Sequence, residues 1–289
     1  MKLWVALLLA AFVLASCGPG DSRPALELSD LVEAAEPGAV IKVSAGRHAG
    51  PIVIDKPLSL VGEESSVIVG TADQPAVSVI GVSGVELSNL TIDGGKSGIE
   101  VRDSIEVVLD NLTIRNAQWH GIFVQDGSVS ITDCVISHLQ ADYPQGVEIN
   151  NSDARPPSLV EGCVIHGPVV EGVVSHISHV TFRNNQVTGS TQRGIAVTEM
   201  SDGRMEGNRV SDAVGAAFYC GDMSHCSVVD NLADGVAAEG VGFRSSEGHG
   251  LVVHFHSQAF VEGLEVVDVM GEDVIVMLGS ELVSESVYP

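Results

Sequence analysis

The stretch from Gly98 to Gly121, GIEVRDSIEVVLDNLTIRNAQWHG, contains one unit of an internal repeat. Its central phrase is Leu109-x-x-Leu112-x-Ile114, and the phrase recurs along the chain with other residues. The middle position is filled in turn by Leu90, Leu112, Cys134, Cys163, Asn185, Asn208, Asn231 and Leu264. These positions are 22, 22, 29, 22, 23, 23 and 33 residues apart. Self-similarity at a period of this size predicts a solenoid in which each repeat stacks on the next.

The periodicity inside each repeat is that of β-strands. Apolar residues fall at every second position, as in Ile105, Val107 and Leu109, and this alternation is typical of strands rather than helices. Most repeats open on a glycine followed by an apolar residue, and these glycines are Gly98, Gly121, Gly146, Gly172 and Gly194. A glycine at each coil corner permits a positive φ or a close backbone approach. The sequence therefore predicts an all-β solenoid with three short strands per coil.

The phrase, including its Asn-x-Val form at Asn185 and Asn208, resembles the repeat of right-handed parallel β-helix proteins, the pectate-lyase-like and NosD-like group. The resemblance covers residues 39–280 and implies a single-stranded right-handed parallel β-helix domain over residues 28–289. It also implies a short N-terminal capping helix over residues 29–36, with Ser29 as N-cap, that covers the exposed strand edges of the first coil. This fold hosts lyases, epimerases, hydrolases, phage tailspikes and accessory proteins, so it does not define an activity.

Residues 1–17 resemble a bacterial lipoprotein signal peptide. Lys2 precedes a short apolar run that is too short to span a bilayer. The sequence Leu14-Ala15-Ser16-Cys17 resembles a lipobox, which implies cleavage before Cys17 and lipidation of its thiol. The alternative is an ordinary secretory signal with an incidental cysteine. We therefore expect a protein of the bacterial cell envelope, anchored by lipid to the outer membrane, with residues 18–27 as a tether.

The composition limits the class of partner. The formal net charge is −24, which argues against nucleic acid or an anionic membrane surface as the main ligand. The same charge weighs against a polyanionic substrate unless a local basic groove overrides it. The cofactor is left open: the negative charge is compatible with a bound divalent cation, but the sequence contains no EF-hand or other calcium loop. We expect a monomer whose only membrane contact is the lipid anchor.

Four further cysteines and three asparagines have structural interpretations. Cys134 and Cys163 fall in the inward middle column and are predicted to be packed thiols, with a disulfide between the two as the alternative. Cys220 and Cys226 flank a short loop, and in an exported protein a disulfide is the first interpretation. A metal site formed with His225 is the alternative. The inward asparagines predict a ladder in which each amide bonds the adjacent coils, and they are Asn185, Asn208 and Asn231.

One outward face of the predicted rod carries polar and titratable side chains. The outward column after the corner glycines reads Arg102, Gln125, Asn150, His176, Thr198, Tyr219 and Arg244. The column beside it reads Glu100, Phe123, Glu148, Val174, Ala196 and Ala217, and His120, Gln145, Glu171 and Arg193 precede the glycines. In enzymes of the family, a face of this kind forms the substrate groove. The alternative is that an outward column is polar only because it is solvated.

The 29-residue spacing places insertions before and after strand 146–150, where they would wall such a groove. A uronate lyase or epimerase needs a base and a cation that holds the carboxylate. The candidates for base or acid are His120, Tyr143 and His176, and the candidates for the cation are Arg102 and Arg193. A glycosidase needs two carboxylates, and the candidate pair is Asp126 and Glu148. The Asp-Pro-His motif of alginate epimerases and the calcium-carboxylate set of classical pectate lyases are both missing.

A second insertion is expected near residues 246–258. There, His254 and His256 lie two apart on a predicted strand, so that with His249 they could bind copper or zinc. The alternative is a pair of solvated histidines. Taken together, the sequence predicts an envelope protein that binds or processes polysaccharide on its glycine-strand face. The second hypothesis is a non-catalytic scaffold or a NosD-like accessory protein that binds metal.

Overall fold

The computed structural model describes residues 27–153, 156–239 and 244–285. Within them, the chain forms a parallel β-solenoid of about 10 turns, preceded by one short helix. The predicted signal peptide, the tether up to residue 26 and Cys17 lie outside the described residues. In the described part, no helix is long and apolar enough to cross a membrane.

Helix α1 spans Leu28–Ala34, and a 3-10 turn spans Arg244–Ser246. The strands are, in chain order, β1 Ala39–Val43, β2 Gly46–Ala49, β3 Ile52–Ile54, β4 Leu58–Gly62, β5 Ser66–Val69, β6 Val77–Ile80, β7 Ser83–Ser88, β8 Thr91–Asp93, β9 Ser97–Arg102, β10 Ile105–Asp110, β11 Thr113–Arg115, β12 His120–Gln125, β13 Val129–Thr132, β14 Val135–Ser137, β15 Gln145–Asn150, β16 Ser158–Glu161, β17 Val164–His176, β18 His179–Arg183, β19 Gln186–Thr198, β20 Asp202–Glu206, β21 Arg209–Val214, β22 Ala216–Cys220, β23 His225–Val229, β24 Leu232–Ala237, β25 His249–Val253, β26 Gln258–Glu262, β27 Glu265–Val269, β28 Val274–Val276 and β29 Glu281–Leu282.

The strands form three parallel faces that run along the rod. The first face is a sheet in the order β1-β4-β7-β10-β13-β16-β18-β20-β23-β26-β29. The second face contains β2, β5, β8, β11, β14, the start of β17 and β19, and then β21, β24 and β27. The third face contains β3, β6, β9, β12, β15, the end of β17 and β19, and then β22, β25 and β28. The predicted parallel β-helix is confirmed.

The central phrase of the repeat turns the chain from the first face to the second. Leu109, Leu112 and Ile114 are all inside, with at most 1% of their surface exposed. Between them, Asn111 takes a left-handed conformation, with φ at 49°. Asparagine, aspartate and glycine tolerate this conformation best, and eight successive coils have one of them at this place with positive φ: Asn89, Asn111, Asp133, Gly162, Asn184, Gly207, Asp230 and Gly263.

The predicted asparagine ladder is present in the core. The side-chain amide of Asn208 donates to the carbonyl of Phe182 at 2.8 Å and to Oδ1 of Asn231 at 3.0 Å. Its own Oδ1 accepts from the backbone N–H and the side-chain amide of Asn185, each at 3.0 Å. Because a buried amide without partners is costly, the ladder holds successive coils in register.

A second ladder, made of serines, follows the third face and was not predicted. The backbone N–H of Ser178 donates to Oγ of Ser201 at 3.1 Å, and the N–H of Ser201 donates to Oγ of Ser224 at 3.1 Å. The same contact continues to Ser257 and then to Ser280, at 3.1 and 3.0 Å. The residues recur at the spacing of the coils, so the pattern could have been read from the sequence.

Helix α1 covers the first coil, as expected, but it starts one residue earlier than expected. Leu28 is already helical and Glu27 is the N-cap, which makes no side-chain capping bond. The predicted N-cap, Ser29, therefore lies inside the helix. Leu28 and Val32 are each only 2% exposed, and burial of both against the core requires Leu28 to join the first turn.

The cysteines occupy different environments. Cys134 and Cys163 are free and buried in adjacent coils, as predicted for packed thiols. Cys220 and Cys226 form a disulfide, with their Cα atoms 6.1 Å apart. Because both sulfurs are in this bond, the alternative metal site with His225 is not formed. The imidazole of His225 instead contacts the carboxylate of Asp202 at 2.9 Å.

Candidate functional site

The third face presents the predicted polar column in register. Strand pairing places Arg102, Gln125, Asn150, His176 and Thr198 next to one another on successive coils. The glycine before each strand is needed at the corner. A Cβ on Gly121, for example, would lie 2.6 Å from the carbonyl oxygen of Gly146. Tight stacking at these corners fixes the register, and the register aligns the outward side chains.

Four side chains from three adjacent coils form a cluster at the centre of this face. Nε2 of His120 lies 2.9 Å from Oε2 of Glu148, and the two side chains are only 19% and 12% exposed. The amide of Asn150 donates to Oε1 of the same carboxylate at 2.7 Å. On the other side of the imidazole, Oγ of Ser97 lies 3.2 Å from Nδ1. The chain from Ser97 through His120 to Glu148 can therefore pass a proton between neighbouring groups.

The carboxyl group of Glu148 is held in its ionised form. Burial opposes ionisation, but the hydrogen bond and charge of His120, the hydrogen bond from Asn150 and the charge of His176 together hold its pKa below the usual value. A buried carboxylate with these partners can accept a proton from a bound group or stabilise a developing positive charge.

A groove of about 570 Å³ opens beside Glu148, towards the carboxyl ends of the strands. Its lining residues are Gln125, Glu148, Asn150, Asn151, His176, Ile177 and Glu199. Oδ1 of Asn150 is buried and has no hydrogen-bond partner. A buried acceptor without a partner is costly, and it is free to receive a hydroxyl from a ligand in the groove.

Two similar arginine clusters lie on either side of Glu148 along the rod. Arg102 pairs with Glu100 and stacks on the Phe123 ring, with its guanidinium carbon 5.1 Å from the ring centroid. Arg193 pairs with Glu171 at 3.0 Å and stacks on the Tyr219 ring at 4.0 Å. Both predicted cations are thus already bound to a carboxylate, which weakens their ability to hold a substrate carboxylate.

The structure corrects the predicted place of Tyr219. Its register partner is Ala196, so it belongs to the column of Phe123 and Glu148 and not to that of Thr198. Gly194 of the preceding coil stacks on Ala217, so an alanine takes the corner position in this coil. Tyr219 is 3% exposed and therefore does not line an open groove.

The hydroxyl of Tyr219 contacts Nδ1 of His254 at 3.0 Å. Burial raises the pKa of Tyr219 to about 12, with Arg193 acting against the shift and Asp222 and Glu171 adding to it. Burial also lowers the pKa of His254, and Arg193 adds to that effect while Asp222 opposes it. Both groups are therefore neutral near pH 7, which suits a structural contact under the end of the face.

Other predicted site residues do not join the cluster. Thr198 is only 1% exposed and donates to the carbonyl of Ser175 at 3.1 Å. Asp126 follows its strand in a left-handed turn, with φ at 55°, and its hydrogen bonds come from Gln125 and Asn151, which lower its pKa. The expected carboxylate pair of Asp126 and Glu148 therefore shares no contact. His176 lines the groove and contacts Glu199 at 3.4 Å.

The predicted metal-binding histidines are not brought together. Strand β25 ends at Val253, and His256 has a φ of 57°, so His254 and His256 lie in a turn and share no strand face. His249 is buried, with one ring nitrogen 2.7 Å from the carbonyl of Arg244 and the other accepting from the N–H of Glu272 at 2.9 Å. Among the described residues, no group of three or more His, Cys, Asp or Glu side chains could hold a metal ion.

The extra residues of the second insertion lie between β24 and β25, in residues 238–248, and not at 246–258. Residues 240–243 fall outside the described part. Arg244 lies in the 3-10 turn of this segment, and its side chain pairs with Glu272 at 3.2 Å. The predicted place of Arg244 in the outward column is wrong because the strand begins five residues later.

The first insertion lies where it was expected. Seven residues separate β14 from β15 and seven separate β15 from β16. Tyr143, in the first of these loops, is 63% exposed. On the preceding coil, Trp119 is 47% exposed, directly before His120. Trp119 was not among the site residues predicted from the sequence, although an aromatic residue directly before a candidate histidine is a recognisable signal.

A model of the right handed beta helix region matches residues 75–153 and 120–268, more than half of the chain. The chain belongs to this family of right-handed β-helix proteins. Among curated protein sequences, none matches it significantly.

Several solved structures share the fold. A rhamnogalacturonan lyase superposes with a TM-score of 0.67 at 14% identity, covering 93% of this chain and 86% of its own. An alginate lyase from Paenibacillus sp. str. FPU-7 superposes with a TM-score of 0.66 at 15% identity, and the match covers 88% of this chain and 96% of that one. Pectate lyase Pel9A superposes with a TM-score of 0.62 at 14% identity, and the match covers 85% of this chain and 72% of that one. At these identities the likeness shows the fold alone.

Proposed function

We propose that this protein binds and processes polysaccharide on its third face, with His120 and Glu148 as the acid–base centre. The observation that carries the proposal is the 2.9 Å contact between these two part-buried side chains at the edge of a polar groove. The fold-sharing lyases support the class of substrate, since their names state that they act on polysaccharides.

The pair is suited to proton transfer. Glu148 is ionised and oriented by two hydrogen bonds, so it keeps the adjacent imidazole in one orientation. With Nε2 of His120 facing Glu148, Nδ1 is the nitrogen that takes up a proton. The hydroxyl of Ser97, 3.2 Å from Nδ1, would give its proton to the ring and take the proton that a hydroxyl or a C–H group of the sugar gives up. The unpaired Oδ1 of Asn150 would accept a sugar hydroxyl and fix the ring in the groove.

Proton transfer of this kind serves a lyase, an epimerase or a hydrolase. A hydrolase requires a second carboxylate across the scissile bond, and Glu199 is the other acid that lines the groove. A lyase or an epimerase requires only the base and a group that stabilises the carboxylate of the sugar. The reaction products separate these three classes directly.

The proposal includes a lipid anchor at the envelope. Cys17 in Leu14-Ala15-Ser16-Cys17 would carry the lipid and hold a monomeric rod at the outer membrane. Metabolic labelling with radioactive palmitate in a bacterial host should label the full chain but not the Cys17→Ser variant. Equal labelling of both would contradict the anchor and leave the site unaffected.

The activity is tested on residues 18–289 with a panel of acidic and neutral polysaccharides. Unsaturated ends absorbing near 235 nm report a lyase, new reducing ends report a hydrolase, and NMR reports an epimerase. We expect Glu148→Gln and His120→Ala each to lower the rate by about 10²- to 10⁴-fold, the usual contribution of a positioned acid or base. Gln186→Ala, on the exposed side of the start of β19 and on another face, is the control.

If no member of the panel is bound or converted, the enzyme proposal fails. The non-catalytic scaffold then becomes the better description, because the polar face would serve solvation alone. Binding without conversion would identify a carbohydrate-binding module, and it would also overturn the catalytic role of Glu148.

A further inference from the structure

The third face has a second polar edge that the acid–base centre does not use. Lys96 and Trp119 precede β9 and β12, and the N–H of Trp119 donates to the carbonyl of Lys96 at 2.8 Å. The two residues are therefore register partners on adjacent coils. Both side chains are exposed, and Trp119 immediately precedes His120.

Lys96 is unusual among the cations of this acidic chain. Of the lysines and arginines in the described ranges, only Lys42 and Lys96 have side chains without a hydrogen bond or an ion pair. Arg102 and Arg193, on the same face, are each bound to a glutamate. Lys96 is thus the available positive charge beside the centre.

We propose that Lys96 and Trp119 form a binding subsite for a pyranose ring that carries a carboxylate. The indole would stack against the apolar face of the ring, as exposed aromatic side chains do with flat apolar partners. The ammonium group would pair with the carboxylate, in a charge-assisted contact. The local charge overrides, at this edge, the repulsion that the net charge of −24 exerts on an acidic polysaccharide.

The position of the subsite gives it a role in the reaction. The groove lies on the carboxyl-end side of Glu148, whereas Lys96 and Trp119 lie at the amino-end side of the same face. A polysaccharide that occupies both must cross the His120–Glu148 pair between them. This inference rests on the proposed function, because it treats that pair as the reacting centre. It adds to the proposed function that the polysaccharide carries negative charge.

The sequence supplies a reporter for the test. The chain contains two tryptophans, Trp4 and Trp119, so a protein of residues 18–289 has Trp119 alone. Its fluorescence is titrated with oligomers of galacturonate, mannuronate and guluronate, and with the methyl esters of the same oligomers. We expect at least one acidic oligomer to change the emission and its methyl ester to bind about tenfold more weakly, since the charged contact is lost.

The matched variants are Lys96→Gln and Lys42→Gln. Lys96→Gln should weaken binding of the acidic oligomer about tenfold and leave binding of its ester unchanged. Lys42→Gln removes the other unpaired lysine, on the first face, and should change neither. Trp119→Ala, measured by calorimetry, should weaken both oligomers.

The outcomes separate the two proposals. Unchanged emission with all three acidic oligomers, or equal affinity of acid and ester, overturns the subsite, whether or not product forms. A fluorescence change that Lys96→Gln abolishes, without product from any oligomer, supports the subsite and overturns the catalytic role of Glu148.

Discussion

The guanidinium group of Arg193 stacks on the ring of Tyr219 from the next coil, with its carbon 4.0 Å from the ring centroid. The same group pairs with Glu171 of the coil before, at 3.0 Å. Arg193 is therefore held from both neighbouring coils at once. Contacts of this kind make the third face a continuous row in which a change in one coil alters the next.

The ionisation of Tyr219 follows from this burial. Its pKa is raised to about 12, above the ordinary value near 10 for tyrosine. Because the raised pKa means that the folded state favours the neutral phenol, its contribution to the stability of the protein is fully present below pH 10. That contribution is lost as pH rises towards 12. Absorbance at 295 nm should show one of the tyrosines titrating late, and Tyr219→Phe should remove that step. Retention of the late step in this variant would assign it to another tyrosine.

Glu148 gives the opposite dependence on pH. Its folded pKa lies below the ordinary 4.5, so ionisation stabilises the fold above pH 4.5, and this contribution disappears as pH falls through the lower folded pKa. The difference in unfolding free energy between wild type and Glu148→Gln should therefore shrink below pH 4.5. Urea unfolding at several pH values measures it, and a difference that grows on acidification would contradict the assignment.

The division into inward and outward columns is tested by charge insertion. Leu112→Asp or Ile136→Asp should unfold the rod, because each site is at most 1% exposed and a buried unpaired charge costs several kcal/mol. Val108→Asp is the control, since Val108 is 37% exposed on the outward side of β10. Thermal unfolding by circular dichroism should distinguish them. Equal melting of Val108→Asp and Leu112→Asp would show the assignment to be wrong.

The asparagine ladder should contribute strongly to stability. Asn208→Ala removes a donor from the carbonyl of Phe182 and an acceptor from Asn185, leaving buried polar groups unpaired. We expect a loss on the order of 3 kcal/mol. Gln186→Ala, on the exposed side of the neighbouring strand, should cost less than about 0.5 kcal/mol. Similar effects of both changes would mean that the ladder has little energetic weight.

The disulfide closes a short loop between β22 and β23. Cys220 and Cys226 are 6 residues apart, and the loop-closure estimate for this length is about 2 kcal/mol. A double replacement by serine should lower the unfolding free energy by that amount. In residues 18–289, thiol titration in denaturant should find two reactive thiols, Cys134 and Cys163, before reduction and four after it. Four before reduction would contradict the bond.

The fold could be predicted because the spacing of the apolar residues in each repeat identifies the buried positions of each coil. Leu109, Leu112 and Ile114 alternate as strand residues must, and their recurrence fixes the coil. The cluster on the third face was partly predictable for the same reason, since Glu148 and Asn150 follow a corner glycine, and His120 directly precedes one, at constant offsets. That Glu148 would bond both neighbours was not predictable, because side-chain contacts depend on stacking between coils.

The predicted positions of side chains were wrong where the residue that marks a corner or a strand changes. Ala217 stands where the preceding coils have the corner glycine, so Tyr219 was assigned to a column two residues away from the one it occupies. His254 and His256 were predicted on a strand because they alternate, but positive φ at His256 shows a turn. Lys96 and Trp119 each stand two residues before a corner glycine, Gly98 and Gly121, so their register was readable from the sequence, and the structure adds that both side chains are exposed.

The serine ladder has a consequence for how such a rod can evolve. Each serine accepts from the N–H of the serine one coil away, so the contact is satisfied only when coils are complete. Gain or loss of a whole coil preserves the ladder and changes the length by about 4.8 Å, whereas gain of part of a strand would shift the serine of that coil out of register and break its contacts with the two neighbouring coils. The length of this protein can therefore vary in fixed steps, while extra residues accumulate in the turns that border the third face.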